Sequence, residues 1–363
     1  MKACAAIAVL SWLILACPAH ALLYSVTDLG NLGGTAGSLG TGLNDSGMVS
    51  GYSWLPGNTG THAFYWTSGT GLVDIGTMGG NSSNASEVND SGVLIGFSDM
   101  GAGITHAFSY TSGGGFVDLG LFGGTTSAAN GINSAGTIVG YSTTGLGQSH
   151  AFSYSGGIMT DLGTLGGTNS NAAAINSAGT IVGNAFTGAG PAHAFSYTTA
   201  GGMIDLGTLP GGNTSGANGL NNSGEIVGNA STSGGVTHPF SYTTAGGMID
   251  LGTLGGSFGG ALSVNSSGDI VGEADTSSGP FHAFIYTAGG MIDLNSVLDS
   301  SGTGWTLLDA LSINDFGQIV GYGTGPGGHT EAFLLNVVPE PSVCGILLGG
   351  LALLGAVVRR RGF

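Results

Sequence analysis

The chain has 363 residues, of which only 7% are charged and 75 are glycine, and its mean hydropathy is positive at +0.34. Disordered chains combine low hydropathy with high net charge, so this composition favours a folded protein of short apolar strands and glycine-rich turns. All 20 acidic residues lie between the four basic ones, which are Lys2, Arg359, Arg360 and Arg361. A body without basic groups cannot neutralise phosphates, which excludes nucleic acid and anionic membrane surfaces as partners. Solubility is the simplest role of the negative charge.

Residues 1–21 read as an export signal. Lys2 precedes an apolar run, and Ala19 and Ala21 then fit the small-x-small pattern of a cleavage site. The segment is therefore predicted to be a secretory signal peptide, with a lipoprotein signal as the weaker alternative. All three cysteines lie in the terminal segments, at Cys4, Cys17 and Cys344. The mature body is thus predicted to have neither a thiol nor a disulfide.

The body of the chain consists of repeats about 44 residues long. The block N-S-A-G-T-I-V-G occurs twice, starting at Asn133 and at Asn176. Related N-x-x-G blocks begin at Asn44, Asn89, Asn221, Asn265 and Asn314. The motif D-L/I-G begins at Asp28, Asp74, Asp118, Asp161, Asp205 and Asp250, and in altered form at Asp293. The motif H-A-F begins at His62, His106, His150, His193 and His282, with His-Pro-Phe at His238 and Glu-Ala-Phe at Glu331.

Each repeat is expected to form four short strands. In one copy the predicted strands are residues 172–176, 180–183, 193–197 and 203–206, separated by turns rich in glycine. Four short strands in a repeat of this length are typical of one blade of a β-propeller. The sequence therefore predicts an all-β protein.

Each end of the repeat region contains an incomplete unit, and the strand that the last unit lacks is present at the start of the region. The mature chain begins with a fourth strand at residues 24–29 and ends with a third strand at residues 332–335. Together these halves complete a seventh unit, which would tie the ring and hide its edges. We therefore predict a seven-bladed β-propeller closed by the N-terminal strand. The alternative is a β-solenoid, which would need distinct caps and no such complementarity.

The repeat resembles the HAF-repeat family of extracellular bacterial proteins, which is named for the His-Ala-Phe block. The resemblance covers residues 24–337, and the insertion at residues 295–307 is similar to the family's final repeat. It implies an extracellular location and a repeat architecture, with no settled activity. Glu331 departs from the family's histidine, which weakens any shared chemical role for that position.

The C-terminal segment, residues 338–363, is predicted to be a second sorting signal. Pro339, Glu340 and Pro341 precede an apolar run of about 16 residues, which is short for a spanning helix, and then three arginines. This arrangement resembles the PEP-CTERM sorting tail of Gram-negative bacteria. The resemblance implies recognition of the Pro-Glu-Pro motif by an exosortase-type protease, transient anchoring in the inner membrane, and export to the envelope or exterior. A plain C-terminal anchor is the alternative.

Residues that recur in every repeat are expected to serve the scaffold. Six histidines related by a ring axis would lie too far apart to share one metal ion, so each is predicted to bond a nearby turn or the Asp of D-L-G. The repeated Asp and Asn side chains precede glycine, where they can accept hydrogen bonds from the backbone of a turn.

Residues outside the repeat pattern are better candidates for ligand contacts. The loops between second and third strands are predicted to carry Trp54, Asp99, Glu273 and Asp275. Trp54 could stack on a sugar, whereas Glu273 and Asp275 could help to hold Ca²⁺, although no calcium-loop motif is present. No nucleophile motif, metalloprotease motif or phosphate-binding loop occurs. Neither a catalytic nor a metal site is predicted.

The sequence favours a secreted or surface-associated protein without enzymatic activity, which binds exopolysaccharide or another matrix component or has a purely structural role. The main alternative is an extracellular carbohydrate-active hydrolase or lyase built on a propeller, because distant carboxylates could meet in the fold. The predicted domains are residues 1–21 (signal peptide), 22–337 (repeat domain) and 338–363 (sorting tail).

Overall fold

The computed structural model describes residues 22–339, which contain the whole predicted repeat domain. The predicted cleavage residues Ala19 and Ala21, together with Glu340, Pro341 and the apolar run, lie outside the described residues. Tyr24–Val337 forms one compact unit. Within the described residues this unit contains 28 β-strands and three short 3-10 segments, which confirms the prediction of an all-β protein.

The strands follow the seven copies of the sequence motif. β1 (Tyr24–Asp28) begins the body. Repeat 1 contains β2 (Ser38–Leu43), β3 (Val49–Trp54), β4 (Thr61–Thr67) and β5 (Gly71–Gly76). Repeat 2 contains β6 (Ser83–Val88), β7 (Leu94–Gly101), β8 (Ile104–Thr111) and β9 (Gly115–Gly120). Repeat 3 contains β10 (Gly123–Ile132), β11 (Ile138–Thr144), β12 (Ser149–Ser155) and β13 (Ile158–Asp161). Repeat 4 contains β14 (Gly166–Ile175), β15 (Ile181–Thr187), β16 (Ala192–Thr198) and β17 (Gly202–Asp205).

The remaining repeats continue this order. Repeat 5 contains β18 (Ser215–Leu220), β19 (Ile226–Ser231), β20 (Thr237–Thr243) and β21 (Gly247–Asp250). Repeat 6 contains β22 (Gly255–Val264), β23 (Ile270–Thr276), β24 (Phe281–Thr287) and β25 (Gly290–Asp293). Repeat 7 contains β26 (Thr306–Ile313), β27 (Ile319–Thr324) and β28 (Thr330–Val337). The 3-10 segments are Pro56–Asn58, Leu294–Val297 and Ser300–Gly302.

Within each repeat the strands pair antiparallel in chain order. Repeats 1 and 4 form separate four-stranded sheets, whereas repeats 2 and 3 are joined by one parallel residue pair, and so are repeats 5 and 6. β1 pairs antiparallel with β28 and becomes the fourth strand of repeat 7, with Tyr24 opposite Val337. The sheet that contains the N-terminal strand therefore also contains the last strand.

The interior of each repeat is built around the phenylalanine of the H-A-F block. Its side chain is fully buried in all seven repeats, at Phe64, Phe108, Phe152, Phe195, Phe240, Phe284 and Phe333. The glycine of the second strand allows the first strand to approach closely. A Cβ at Gly140 would lie 2.0 Å from the carbonyl oxygen of Ala128, and one at Gly183 would lie 2.0 Å from that of Asn171. The repeated I-V-G sequence is thus a steric requirement of the hairpin.

A β-bulge occurs near the end of the first strand in each of the seven repeats. The pairing register shifts there by one residue, for example between Ala85 and Glu87 and between Ala310 and Ser312. A bulge leaves one residue unpaired and bends the strand, which re-aims the side chains beside it. These bulged residues line the central cavity described below.

The asparagines of the N-x-x-G blocks connect successive repeats. Each Oδ1 accepts a hydrogen bond from a backbone N–H four residues later, as Asn176 does from Thr180 at 2.9 Å. Each Nδ2 donates to the backbone carbonyl of the equivalent asparagine in the next repeat, at 3.0–3.4 Å; the donors are Asn44, Asn89, Asn133, Asn176, Asn221, Asn265 and Asn314. The last of these donates to the carbonyl of Asn44. The seven bonds therefore form a closed cycle.

Candidate functional site

The repeated histidines pair with the aspartates of the D-L-G motif. Six Nδ1–carboxylate contacts of 2.7–2.9 Å join His62–Asp74, His106–Asp118, His150–Asp161, His193–Asp205, His238–Asp250 and His282–Asp293. Each aspartate also accepts a backbone N–H two residues later, such as that of Gly120 at 2.8 Å from Asp118. In repeat 7 the Glu331 carboxylate accepts two bonds from Asn31 Nδ2 instead, at 3.2 Å. These side chains fix the outer hairpin and its turn.

Three of the candidate ligand residues occupy one equivalent position. Trp54, Asp99 and Asp275 lie near the ends of the second strands of repeats 1, 2 and 6, and so belong to the same rim. The half-buried Trp54 ring lies 5.6 Å from that of Tyr52. Asp99 uses its carboxylate within the fold, because it accepts the N–H groups of Asn81 at 3.2 Å and Gly101 at 2.7 Å. Trp54 is therefore better placed for a ligand than Asp99.

Glu273 does not lie in a loop. It is in the middle of β23, opposite Gly260 and Ala283, and is electrostatically coupled to Asp309 of β26 in the next repeat. Burial raises the pKa of Glu273, and Asp275 raises it further. Glu273 therefore lies within the sheet beside Asp309 and is not one of the rim residues.

Asp309 is a buried acid that the sequence analysis did not single out. It is 6% exposed, and its Oδ1 has no hydrogen-bond partner among the described residues. Burial raises the pKa of Asp309 to about 8, the charge of Glu273 adds to the effect, and a hydrogen bond from Ala310 N–H opposes it. The same surroundings raise the pKa of Tyr322 to about 12, chiefly through burial.

A cavity of about 490 Å³ lies where the first strands of all seven repeats meet. Its lining comes from the bulges and includes hydroxyl and amide side chains from repeats 1, 2, 3 and 5, namely Thr41, Ser86, Asn130 and Asn218. Repeats 4, 6 and 7 contribute apolar side chains at the equivalent position, namely Ala173, Leu262 and Leu311. Repeats 4, 6 and 7 also contribute the polar residues Asn171, Ser263 and Ser312, so the lining mixes polar and apolar groups.

Glu87 is the acidic residue in the lining of this cavity. It follows the bulged residue of β6 and keeps part of its surface accessible. Burial raises the pKa of the Glu87 carboxyl to about 8, a long bond of 3.4 Å from Val88 N–H lowers it, and the charge of Asp90 raises it. Gly42 of repeat 1 makes room for this side chain, because a Cβ there would lie 3.1 Å from Glu87 Oε1.

Two smaller cavities, of about 250 and 200 Å³, lie beyond the aliphatic side chains that end the first strands. Asp45, Asp90 and Asp315 line them at equivalent positions in repeats 1, 2 and 7. Their Oδ1 atoms accept backbone N–H groups from another repeat, as Asp90 does from Asp45 at 3.0 Å. These aspartates join adjacent repeats as the asparagine cycle does.

Glu87 and Asp309 differ from their equivalents in sequence, because each occupies a position that holds a neutral residue in the other repeats. That departure from the repeat pattern is the signal by which they could be found, whereas their burial is visible only in the structure. Within residues 22–339 no group of three or more His, Cys, Asp or Glu side chains is arranged to hold a metal ion. The same residues contain no helix long and apolar enough to cross a membrane.

Comparisons with known proteins concern the fold alone. No family model and no curated protein sequence matches the chain. TolB from Acinetobacter baumannii aligns with a TM-score of 0.45 at 10% identity, over 80% of this chain and 79% of TolB. The BP39L lectin from Burkholderia pseudomallei aligns with a TM-score of 0.43 at 8% identity, over 86% and 95% of the two chains.

Two further solved structures that align with the chain are a hydrolase and a fungal lectin. A puromycin hydrolase S511A mutant aligns with a TM-score of 0.46 at 11% identity, over 82% of this chain and 50% of the hydrolase. The fungal lectin from Aleuria aurantia, a six-bladed β-propeller, aligns with a TM-score of 0.33 at 12% identity, over 69% and 93% of the two chains. Alignments this loose fix neither the number of blades nor the function. The chain is an all-β repeat protein whose solved structural neighbours include β-propellers.

Proposed function

We propose that this protein is an exported, non-enzymatic propeller that binds or structures an extracellular glycan matrix. The observation that carries the proposal is that residues repeated in every unit and residues that differ between units have different roles. The polar side chains that recur in each repeat bond the backbone or one another, as the His–Asp pairs and the asparagine cycle do. Residues that differ between repeats occur at the rim that contains Trp54 and in the central cavity. A rigid scaffold with individual contact positions is suited to display and binding.

The propeller of the proposal is a closed ring of seven blades. Repeat 7 contacts repeat 1 through three hydrogen bonds: from Asn314 Nδ2 to Asn44 O at 3.1 Å, from Asp315 N–H to Asp45 Oδ1 at 3.0 Å, and from Ala332 N–H to Ser38 Oγ at 3.0 Å. Equivalent bonds join other neighbouring repeats, for example from Asn133 to Asn176. A solenoid would not repeat its internal contacts between its two ends. These contacts support ring closure and the use of β1 as the last blade's fourth strand.

The proposed location follows from the terminal segments. The signal peptide would direct the chain through the inner membrane of a Gram-negative cell. Pro339, Glu340 and Pro341 would then present the chain to an exosortase-type protease after transient anchoring by the apolar run. The product would be released to the envelope or the exterior, where exopolysaccharide is available as a partner. A body with no Lys or Arg between Lys2 and Arg359 suits a neutral or cationic glycan better than an acidic one.

The test is co-sedimentation of the full-length protein with exopolysaccharide from the cells that produce it. Saturable binding that falls at least tenfold in Trp54→Ala would support the proposal. Phe316→Ala is the matched control, because Phe316 is an aromatic residue that is 71% exposed. It lies in the N-x-x-G turn before the second strand of repeat 7, whereas Trp54 lies at the other end of the equivalent strand in repeat 1. Absence of saturable binding would contradict the binding role. Release of reducing or unsaturated sugar ends by the protein would favour the carbohydrate-active enzyme instead.

A further inference from the structure

The central cavity carries an inference about the chemistry of its ligand. Its lining mixes hydroxyl and amide groups with aliphatic side chains from several repeats. A sugar ring likewise combines hydroxyl groups with C–H surface. The size, about 490 Å³, lies within the range of small-molecule sites. The lining therefore fits a ligand that carries both polar groups and apolar surface.

Glu87 supplies the ionisable group of that cavity. Its Oε1 receives only a long bond from Val88 N–H, at 3.4 Å. The nearby Ser50 hydroxyl is fully buried and has no hydrogen-bond partner among the described residues. Both oxygens lie within 3.1 Å of the point that a Cβ of Gly42 would occupy, so they flank the same glycine. A carboxylate held this way is weakly compensated, and a charge-assisted donor would stabilise it strongly.

Within residues 22–339 no Lys or Arg can pair with that carboxylate, because none occurs there. Six histidines in this range, such as His62 and His106, are each bonded to an aspartate, and His329 is not part of the cavity lining. The nearest acidic residue in sequence, Asp90, adds to the unfavourable potential at Glu87. A counter-charge for the ionised form of Glu87 would therefore come from a ligand.

We propose that the central cavity binds a ligand with a protonated amino group, which Glu87 holds as an ion pair. Thr41 Oγ1 and Asn130 Nδ2 already donate to backbone carbonyls of repeats 2 and 4, so the side-chain oxygens of Thr41 and Asn130 can accept hydrogen bonds from the ligand's hydroxyls, and Ser86 lies beside them. An amino sugar offers an ammonium group together with hydroxyl and C–H surface, and a free aliphatic amine offers the same cationic group. The proposal rests on the proposed function in one respect: it takes the cavity to lie at the centre of a closed ring. It adds the ligand class and the residue that selects it.

The binding reaction has a specific proton balance. Because the pKa of the free Glu87 carboxyl is about 8, that group is mostly protonated at pH 7. Pairing with an ammonium group requires the carboxylate, so the O–H bond of Glu87 breaks and its proton passes to the buffer. Binding at pH 7 should therefore release close to one proton. A hydrogen bond to a neutral ligand would release none.

The experiment is isothermal titration of the full-length protein at pH 7 in two buffers of different ionisation enthalpy. The probes are glucosamine, N-acetylglucosamine and 1,5-diaminopentane. We expect glucosamine to bind once per chain with proton release, and N-acetylglucosamine to bind at least tenfold more weakly because its nitrogen carries no charge. Binding of the diamine without glucosamine would support the amine site and assign it to free amines. Equal binding of glucosamine and N-acetylglucosamine would overturn the proposal.

Variants make the assignment to Glu87 testable. Glu87→Gln keeps the shape of the side chain and should weaken amine binding at least tenfold while abolishing proton release. Ala173→Met should block the cavity with the carboxyl intact. Glu225→Gln is the matched control, because Glu225 bonds Ser241 outside the cavity lining and should bind as the parent does. Unchanged binding by Glu87→Gln would refute the site. Failure of the polysaccharide assay leaves this titration unaffected, so the two proposals fail separately.

Discussion

Asp309 offers a sharp test of the structure, because its environment makes the protein's stability depend on pH in an unusual direction. Its carboxyl is 6% exposed, has an unpartnered Oδ1 and is coupled to Glu273 and Tyr322 on neighbouring strands. The folded protein therefore holds a proton on Asp309 up to about pH 8, whereas the unfolded chain releases it near pH 4. Between these values the unfolded state binds fewer protons, so stability falls as pH rises.

The magnitude follows from the size of the shift. The pKa of Asp309 rises from 3.8 to about 8. One pKa unit corresponds to about 1.4 kcal/mol, so the full loss of stability would be on the order of 6 kcal/mol above pH 8. Water entry and relaxation between the repeats reduce such penalties, and we expect at least ~2 kcal/mol to be measured. Asp309→Asn removes the ionisation and should recover that amount at pH 9, with little gain at pH 4.

Urea unfolding of the parent and of Asp309→Asn at pH 4, 7 and 9 measures this directly, and the difference between the two should widen with pH. Asp315→Asn is the control, because Asp315 is an exposed residue of the same repeat whose Oδ1 accepts the Ser266 N–H, a bond that the amide oxygen of asparagine can keep; the widening expected for Asp309→Asn should therefore be absent. A constant difference between Asp309→Asn and the parent across the pH range would refute the reasoning.

The remaining predictions concern the scaffold. Asn314→Ala removes the bond to Asn44 O and two N–H contacts in its turn, so urea unfolding should show a loss of about 2–4 kcal/mol; a loss below about 0.5 kcal/mol would contradict a structural role for the asparagine cycle. Deletion of residues 22–28 removes β1 and exposes β28, so size-exclusion chromatography should show oligomers or aggregates, whereas an unchanged monomer would argue against its sealing role. His106→Ala breaks a partly exposed ion pair and should cost less than about 1 kcal/mol at pH 7; a cost above about 3 kcal/mol would mean that the pair is not a surface contact.

The sequence by itself determined the strands and most of their limits. The predicted third strand at residues 193–197 is Ala192–Thr198 in the structure, and the predicted fourth strand at residues 203–206 is Gly202–Asp205. The first strand is longer than predicted, Gly166–Ile175, because the segment that crosses from the previous repeat also extends along β15. Period-two alternation and glycine turns are local signals, so they are readable without a fold.

The tertiary structure decided which acids matter. Glu273 was predicted in a ligand loop, yet it lies within β23 and is coupled to Asp309, a residue of the next repeat. Glu87 likewise becomes distinctive only because seven first strands meet around it. Burial and the approach of another repeat set the pKa and the partners of these carboxyls, and neither is encoded in the residues next to them in sequence. Local patterns therefore specified the scaffold, whereas contacts between repeats specified its chemistry.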